Sequence, residues 1–141
     1  NGDPPGFELC SCRTQRNLSE EGRNQAVKIG KLFRENRIQT ARLFSSQWCR
    51  CLETAKLLEI GPVQALSFLN SFFNNYDYRE AQTQKLREWI DEQNLGQPLV
   101  LVTHQVNITA LTNVYPGSGE LVIIRRSKTG EFAVVGTIKT K

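Results

Sequence analysis

The sequence predicts an α/β protein: a three-layer α/β/α sandwich around a mostly parallel sheet, with a C-terminal β-hairpin. Helical and strand patterns alternate along most of the chain, which favours helices packed on both faces of a sheet. Residues 98–103 are apolar on both faces, as is typical of a central strand in a parallel sheet. Two final strands, residues 120–126 and 131–139, are joined by Ser-Lys-Thr-Gly, which predicts a hairpin.

Four segments carry apolar residues at helical spacing. The first begins after Ser19, a favourable N-cap, and Glu20 and Glu21 occupy its first turn. The predicted helices span residues 20–36, 48–59, 83–93 and 106–114. Two further strands are predicted at residues 41–45 and 63–66, and residues 1–17 and 67–78 are expected to form loops.

The predicted order of elements begins with a helix, whereas the helices of such sandwiches usually follow a strand. A leading strand is therefore missing from the pattern, and we interpret residues 1–141 as a single domain that is incomplete at its N-terminus. An unfilled place in a sheet exposes apolar surface and unpaired backbone groups. We expect local collapse, residues 1–17 or a partner chain to close this gap; a second copy as the partner would make a homo-oligomer.

Length and composition limit the function. The chain has 141 residues, of which 39% are hydrophobic and 23% charged, an ordinary mix for one globular domain. Its 18 Lys and Arg against 14 Asp and Glu give a net charge of +4, which favours anionic ligands but is too small and too scattered for a nucleic-acid surface. No apolar run reaches the roughly 18 residues of a membrane span. We therefore expect neither nucleic acid nor a membrane as partner.

The four cysteines form two Cys-x-Cys pairs, Cys10/Cys12 and Cys49/Cys51. A zinc site is disfavoured, because Cys49 and Cys51 would point to nearly opposite sides of a helix, about 200° apart, and we expect no metal. A Cys12–Cys49 disulfide would suit an oxidising compartment and would place the protein in a bacterial periplasm or outside the cell. Buried free thiols in a cytoplasmic protein are an equally good interpretation.

Two predicted strand-to-helix junctions carry chemically useful side chains. Arg50 follows the strand at residues 41–45, and His104, the only histidine of the chain, follows the strand at residues 98–103. Ligands of open α/β sheets bind beyond the carboxyl ends of strands, where helix N-termini present free N–H groups. A guanidinium, an imidazole and two helix N-termini together predict a phosphate or carboxylate site. Taken singly, Arg50 is explained as a surface charge and His104 as a structural histidine.

Three segments, in chain order, resemble motifs of the histidine phosphatase (phosphoglycerate-mutase-like) superfamily. Residues 17–26 are similar to the family's Leu-Thr/Ser-x-x-Gly-x-x-Gln-Ala helix. Residues 45–55 match Ser-Ser-x-x-x-Arg-x-x-x-Thr-Ala, and residues 102–104 match Val-Thr/Ser-His. The resemblance runs from about residue 14 to residue 122 and implies the fold of that family.

The resemblance implies roles for particular residues. Arg50 corresponds to the arginine that holds the phosphoryl group, and His104 to the second histidine, which stabilises the transferring charge. Family members transfer phosphate through a phosphohistidine, without a metal or other cofactor. The candidate substrate contacts are Arg16, Asn17, Thr103 and Gln105, although the last two could equally cap the helix that follows them.

Two departures limit what the resemblance implies. The family's nucleophilic histidine lies in an Arg-His-Gly or Arg-His-Ala motif at the end of the first strand, and this chain has no such motif. The missing nucleophile and the missing strand are thus the same absence. The usual general acid has no clear counterpart near residues 69–73, and Glu8, Asp77 and Glu80 are the substitutes that the sequence offers.

The expected function is that of a phosphatase-family domain for phosphate monoesters or phosphohistidine. We expect this chain to be inactive, because nothing in it can accept the phosphoryl group covalently. Its expected partner is a phosphate-bearing small molecule or a phosphoprotein. The alternative is a non-catalytic domain that binds anions or another protein.

Overall fold

The computed structural model describes residues 3–72, 75–127, 129 and 131–140, and these residues form four α-helices and five β-strands. The helices are α1 (Glu20–Glu35), α2 (Cys49–Leu58), α3 (Arg79–Asp91) and α4 (Gln105–Thr112). The strands are β1 (Arg42–Ser45), β2 (Val63–Ala65), β3 (Leu99–Val102), β4 (Leu121–Arg126) and β5 (Phe132–Ile138). This order confirms the predicted alternation. The predicted hairpin turn includes Lys128 and Gly130, which lie outside the described residues.

The segment between β2 and α3 is more ordered than the expected loop. It contains 3-10 turns at Ser67–Leu69 and Tyr76–Tyr78, while residues 73 and 74 lie outside the described part. The second turn continues directly into α3, so this helix begins at Arg79 and not at residue 83. Residues 79–81 are exposed and include no large apolar side chain, so they give no apolar spacing from which this start could have been predicted.

The strands form two separate sheets. β1 pairs in parallel with β2 on one side and with β3 on the other, where Ser45 lies opposite Val102. β4 and β5 form an antiparallel pair in which Leu121 lies opposite Ile138. Among the described residues, no strand pairing joins the two sheets.

The prediction that residues 98–103 form a central strand is wrong for the described residues. β3 lies at an edge of the three-stranded sheet, and β1 is central. Its apolar character has another cause, because β3 is covered on both faces. Leu99 and Leu101 pack toward the α3 side, and Val100 and Val102 toward the α1 and α2 side. Burial on both faces requires two helical layers but not two neighbouring strands.

Alternation along β1 divides the core into two layers. Leu43 packs in a cluster with residues of α1 and α2, and the next residue, Phe44, packs in a second cluster with Leu86 and Ile90 of α3. Successive strand side chains point to opposite faces, so one short strand supplies both clusters. The result is the predicted three-layer arrangement, with helices on both faces of the sheet.

The contact between α1 and α2 depends on Gly30. A Cβ atom at this position would lie 2.2 Å from the backbone oxygen of Leu58, closer than any real contact. Glycine therefore lets the two helices approach each other, and this approach sets the position of α2 and its N-terminus.

The β4–β5 hairpin is tied to helices on both faces of the protein. Gln25 of α1 donates hydrogen bonds through Nε2 to the backbone oxygens of Ser118 (3.2 Å) and Thr140 (2.8 Å). At the other end, Arg126 donates to the backbone oxygens of Ile90 (2.6 Å) and Asp91 (2.8 Å) at the end of α3. These bonds hold the hairpin although it shares no strand pairing with the other sheet.

An apolar cavity of about 630 Å³ lies between the two sheets. Its walls include Leu99, Val100 and Leu101 of β3, and Leu121 and Val122 of β4. The expectation that local collapse or residues 1–17 close the gap is not met by the described residues, since none of residues 3–17 lines this cavity. Across the described part of the chain, no helix has the length and apolar character that crossing a bilayer requires.

Candidate active site

The carboxyl ends of β1 and β3 lie side by side, as expected for neighbouring parallel strands. The pairing of Ser45 with Val102 continues into a hydrogen bond from the Ser46 backbone N–H to the Val102 oxygen, 2.9 Å long. α2 begins three residues after Ser46, and α4 begins directly after His104. The two junctions predicted from the sequence therefore meet at one edge of the sheet.

His104 is held by three neighbours from the β1–α2 junction. Its Nε2 lies 2.8 Å from Ser46 Oγ and 3.7 Å from Cys51 Sγ, and its ring packs edge-on against Trp48, with 5.1 Å between ring centroids. Ser46 Oγ can donate to Asn70 Oδ1 (3.2 Å) and accept from the Nε2–H of His104. In that arrangement Nδ1 of His104 is left as an unprotonated acceptor.

Burial determines the protonation states of two side chains at these junctions, His104 and Cys51. Desolvation, assisted by the positive charge of Arg50, lowers the pKa of His104 to about 4, so its ring is neutral at pH 7. Desolvation also raises the pKa of the Cys51 thiol to about 11, which keeps it protonated and poorly nucleophilic. At neutral pH Arg50 therefore brings a positive charge to these junctions and His104 does not.

Arg50 holds a carboxylate. Its Nη1 donates to Asp3 Oδ1 at 2.8 Å and to the Arg16 backbone oxygen at 3.3 Å. The side chains are only 22% exposed for Arg50 and 9% exposed for Asp3, so this ion pair is much better shielded than an ordinary surface pair.

Asp3 accepts hydrogen bonds from three kinds of donor. Besides Arg50, the Arg16 backbone N–H donates to Oδ1 (3.0 Å) and the Trp48 indole Nε1–H donates to Oδ2 (2.9 Å). Burial by itself would raise the pKa of Asp3, but the hydrogen bonds from Trp48, Arg16 and Arg50 outweigh burial and lower it. Asp3 is therefore a carboxylate at neutral pH, and it partly fills the space in front of Arg50.

The N-terminal segment, residues 3–17, is fastened to the N-terminus of α2. A Cys12–Cys49 disulfide joins the two, which is the pairing that the sequence favoured. The Cys49 backbone N–H donates to Gln15 Oε1 at 2.9 Å, and the ring of Phe7 packs 5.5 Å from that of Trp48. Cys12 and Cys49 are thus unavailable as thiolate ligands for a metal.

A buried amide network supports the same edge from the α3 side. Asn107, which is buried, donates through Nδ2 to the backbone oxygens of Leu69 (2.9 Å) and Asn70 (2.8 Å). Asn70 Oδ1 in turn accepts from the Gln47 backbone N–H at 2.8 Å. This network links α4 to the turn before α2 and fixes the distance between the two junctions.

The candidate substrate contacts differ in how the structure places them. The Arg16 backbone lies at the site, where it bonds both Asp3 and Arg50. Asn17 donates to the Cys12 and Gln15 backbone oxygens, and Thr103 donates to that of Leu69, so both side chains make structural bonds. Gln105 is exposed on the first turn of α4. Their roles toward a substrate stay predictions.

The alternative acids are not gathered at the site. All three are exposed: Glu8 in the N-terminal segment, Asp77 in the 3-10 turn before α3, and Glu80 in the first turn of α3. The carboxylate that the structure does bring to Arg50 is Asp3, and sequence reasoning missed it, along with Ser46 and Trp48. The signal in the sequence was the position of Asp3 in a proline-rich loop that leads to Cys12, one member of the candidate Cys12–Cys49 disulfide.

Comparison with known proteins agrees with this architecture. The fold is of the phosphoglycerate-mutase-like α/β class. The chain is similar to a solved structure named Mycobacterial hydrolase 1, with 22% sequence identity and a TM-score of 0.51. The similarity covers 67% of this chain and 64% of that one. The chain thus spans less than two thirds of that protein's length. A family model, the histidine phosphatase superfamily (branch 1), matches residues 8–72, which contain Arg50. This match bears out the resemblance to the histidine phosphatase superfamily that was seen in the sequence. No curated protein matches it.

Proposed function

We propose that this chain forms the phosphate-binding side of a histidine phosphatase active site, which acts on phosphate monoesters or phosphohistidine through a phosphohistidine intermediate. One observation carries the proposal: the Arg50 guanidinium holds an oxyanion, the Asp3 carboxylate, at the strand edge that also carries His104. Carboxylates and phosphates are bound by the same planar fork of guanidinium donors, so a group placed to hold one suits the other.

The proposed chemistry uses positioning and charge. A histidine nitrogen attacks phosphorus, a P–N bond forms, and the P–O bond to the leaving group breaks; water then cleaves the P–N bond and releases phosphate. Arg50 would hold the phosphoryl oxygens through both steps. A phosphate dianion beside His104 would raise the low pKa of this residue, so the ring would become a second cationic donor when ligand is bound.

The nucleophile must come from a segment other than those that form this site, because His104 is the only histidine of the chain. The cavity between β3 and β4 supports a place for it. A strand paired in parallel with the open edge of β3 would end at the same sheet edge, next to His104. It would also cover the apolar walls and pair free backbone groups of β3 and β4. The proposed missing part is a strand with Arg-His-Gly or Arg-His-Ala at its carboxyl end.

Hydrolysis of p-nitrophenyl phosphate tests this part of the proposal. We expect the chain by itself to be inactive and to become active when it is extended at its N-terminus by an apolar strand that ends in Arg-His-Gly. The matched control is the same extension with glutamine in place of its histidine, which should stay inactive. The proposal fails if the histidine-bearing extension is inactive while circular dichroism and gel filtration show a folded protein.

Phosphate binding by the chain tests the site itself. Calorimetric titration with inorganic phosphate should show an affinity that falls at least about tenfold in Arg50→Ala, as expected for the loss of a charged hydrogen-bonding group. Arg23→Ala is the control, because Arg23 pairs with Glu53 on the surface and has the same charge. An equal affinity in Arg50→Ala and Arg23→Ala would refute the site assignment. Binding that is intact without turnover in the extended chain would favour the second candidate, a non-catalytic anion-binding domain.

The disulfide also supports a proposal about the compartment in which the protein is located. Cross-links of this kind form and persist in oxidising surroundings, so we propose a periplasmic or secreted location. Thiol labelling of protein recovered from the native host without reductant tests this: Cys10 and Cys51 should react after unfolding, while Cys12 and Cys49 should react only after reduction.

A further inference from the structure

We infer that Asp3 is a built-in anion that occupies part of the Arg50 site, so that a phosphate ligand binds by displacing the Asp3 carboxylate. The inference rests on the proposed function, because it concerns the same guanidinium. It adds a competitor that belongs to the chain itself and lies 47 residues from Arg50 in the sequence.

The contacts of Asp3 resemble those of a bound ligand more than those of a surface ion pair. Its two oxygens accept from a guanidinium, a backbone N–H and an indole N–H, and 9% of its side chain remains exposed. A phosphoryl oxygen at this position would find the same donors, because each of them serves any oxyanion. The carboxylate therefore uses donors that a phosphate would need.

Charge makes the competition stronger. Arg50 supplies one positive charge and Asp3 cancels it, while His104 is neutral because burial keeps its pKa near 4. A phosphate dianion that bound with Asp3 in place would meet a guanidinium whose charge is already paired and, beside it, a second negative charge on the carboxylate. With Asp3 displaced, the same dianion would meet an uncompensated guanidinium.

Displacement does not require the core to open. Pro4, Pro5 and Gly6 are exposed, and the covalent link of the segment to the domain begins only at Cys12. Both Arg50 hydrogen bonds to described residues use Nη1, so the remaining guanidinium N–H groups can take a first phosphoryl oxygen before Asp3 leaves.

Titration of the whole chain with inorganic phosphate tests the inference. Asp3→Asn and Asp3→Ala should bind phosphate about tenfold more tightly than the unsubstituted chain, the size expected when a charged hydrogen-bonding competitor is removed. Glu8→Gln is the matched control: it removes an exposed carboxylate from the same segment and should change the affinity less than about twofold. Thermal melts of each variant show whether the fold is kept.

A second readout separates competition from a purely orienting role for Asp3. The Trp48 indole N–H donates to Asp3, so saturating phosphate should move its proton resonance in the unsubstituted chain to the position seen in phosphate-saturated Asp3→Ala. An orienting carboxylate would keep this bond. Unchanged or weaker phosphate affinity in both Asp3 variants overturns the inference.

Arg50→Ala distinguishes the two failures. If Arg50→Ala abolishes binding and the Asp3 variants bind no better than the unsubstituted chain, the inference alone is wrong and the proposed function stands. If no variant binds phosphate, or if Arg50→Ala binds as well as the unsubstituted chain, both are wrong.

Discussion

The site at the carboxyl ends of β1 and β3 and the cavity along the free edge of β3 are close neighbours of opposite character. In the site, Arg50, Asp3, Ser46 and His104 all have hydrogen-bond partners, and a disulfide fastens the surrounding segment. In the cavity, apolar side chains face an unfilled space, and β3 and β4 each lack a second neighbour among the described strands. Groups from short loops can supply the hydrogen bonds that a polar site needs. The free backbone groups along a sheet edge, in contrast, are paired only by another strand.

The largest expected effect is that of removing the disulfide that joins the N-terminal segment to α2. Reduction of Cys12–Cys49, or the double change Cys12→Ser and Cys49→Ser, should lower the free energy of unfolding by about 4 kcal/mol in the loop-entropy model for a sequence separation of 37. Urea denaturation monitored by fluorescence measures this. Cys10→Ser is the control, because Cys10 is exposed and unpaired. A loss below about 1 kcal/mol would mean that the segment is held mainly by its hydrogen bonds.

The packed and the unfilled side of the sheet should respond differently to the same truncation. Leu43→Ala should cost about 3 kcal/mol, because Leu43 is 2% exposed and enclosed in the α1–α2 layer. Leu101→Ala should cost about 1 kcal/mol, because Leu101 already borders the cavity and loses fewer contacts. Urea midpoints with fitted m-values give both numbers. Equal costs would show that the cavity wall is as well packed as the core.

The pH dependence of stability reports on the site alone. His104 has a folded pKa near 4 and an ordinary unfolded value near 6.5, so the unfolded chain binds more protons between these values and stability falls as pH decreases. From pH 7.5 to pH 5 the loss should be about 2 kcal/mol. His104→Gln should remove this slope, since the chain has no other histidine. A slope that survives the substitution would contradict the low pKa.

The smallest effect should come from one hydrogen bond of the site. Trp48→Phe keeps an aromatic ring against His104 but removes the donor to Asp3, and should cost about 1 kcal/mol. Trp89→Phe, in the layer around α3, controls for the loss of indole area. In addition, only Trp48→Phe should raise the pKa of Asp3, which titration of the carboxyl carbon by NMR would detect.

Local patterns predicted most of the fold and half of the site. Apolar spacing located every described helix and strand to within a few residues, because each buries one stripe or two alternating faces. Arg50 and His104 could be paired because parallel strands end at a common edge. Asp3 was missed, because its contact with Arg50 depends on the path of a proline-rich loop that has no periodicity, and the candidate Cys12–Cys49 bridge pointed only to the segment and not to this side chain. The edge position of β3 was missed for a related reason: side-chain burial shows how many layers cover a strand and not how many strands flank it.

The hydrogen bonds that anchor the β4–β5 hairpin affect how tightly the proposed missing strand would bind. Gln25 and Arg126 fasten the two ends of the hairpin to helices on opposite faces, so its distance from β3 is set without any strand between them. A strand that enters would meet two edges already held in place, and little of its binding free energy would be spent on ordering them. If the proposed strand exists, the domain is in this sense preorganised to bind it.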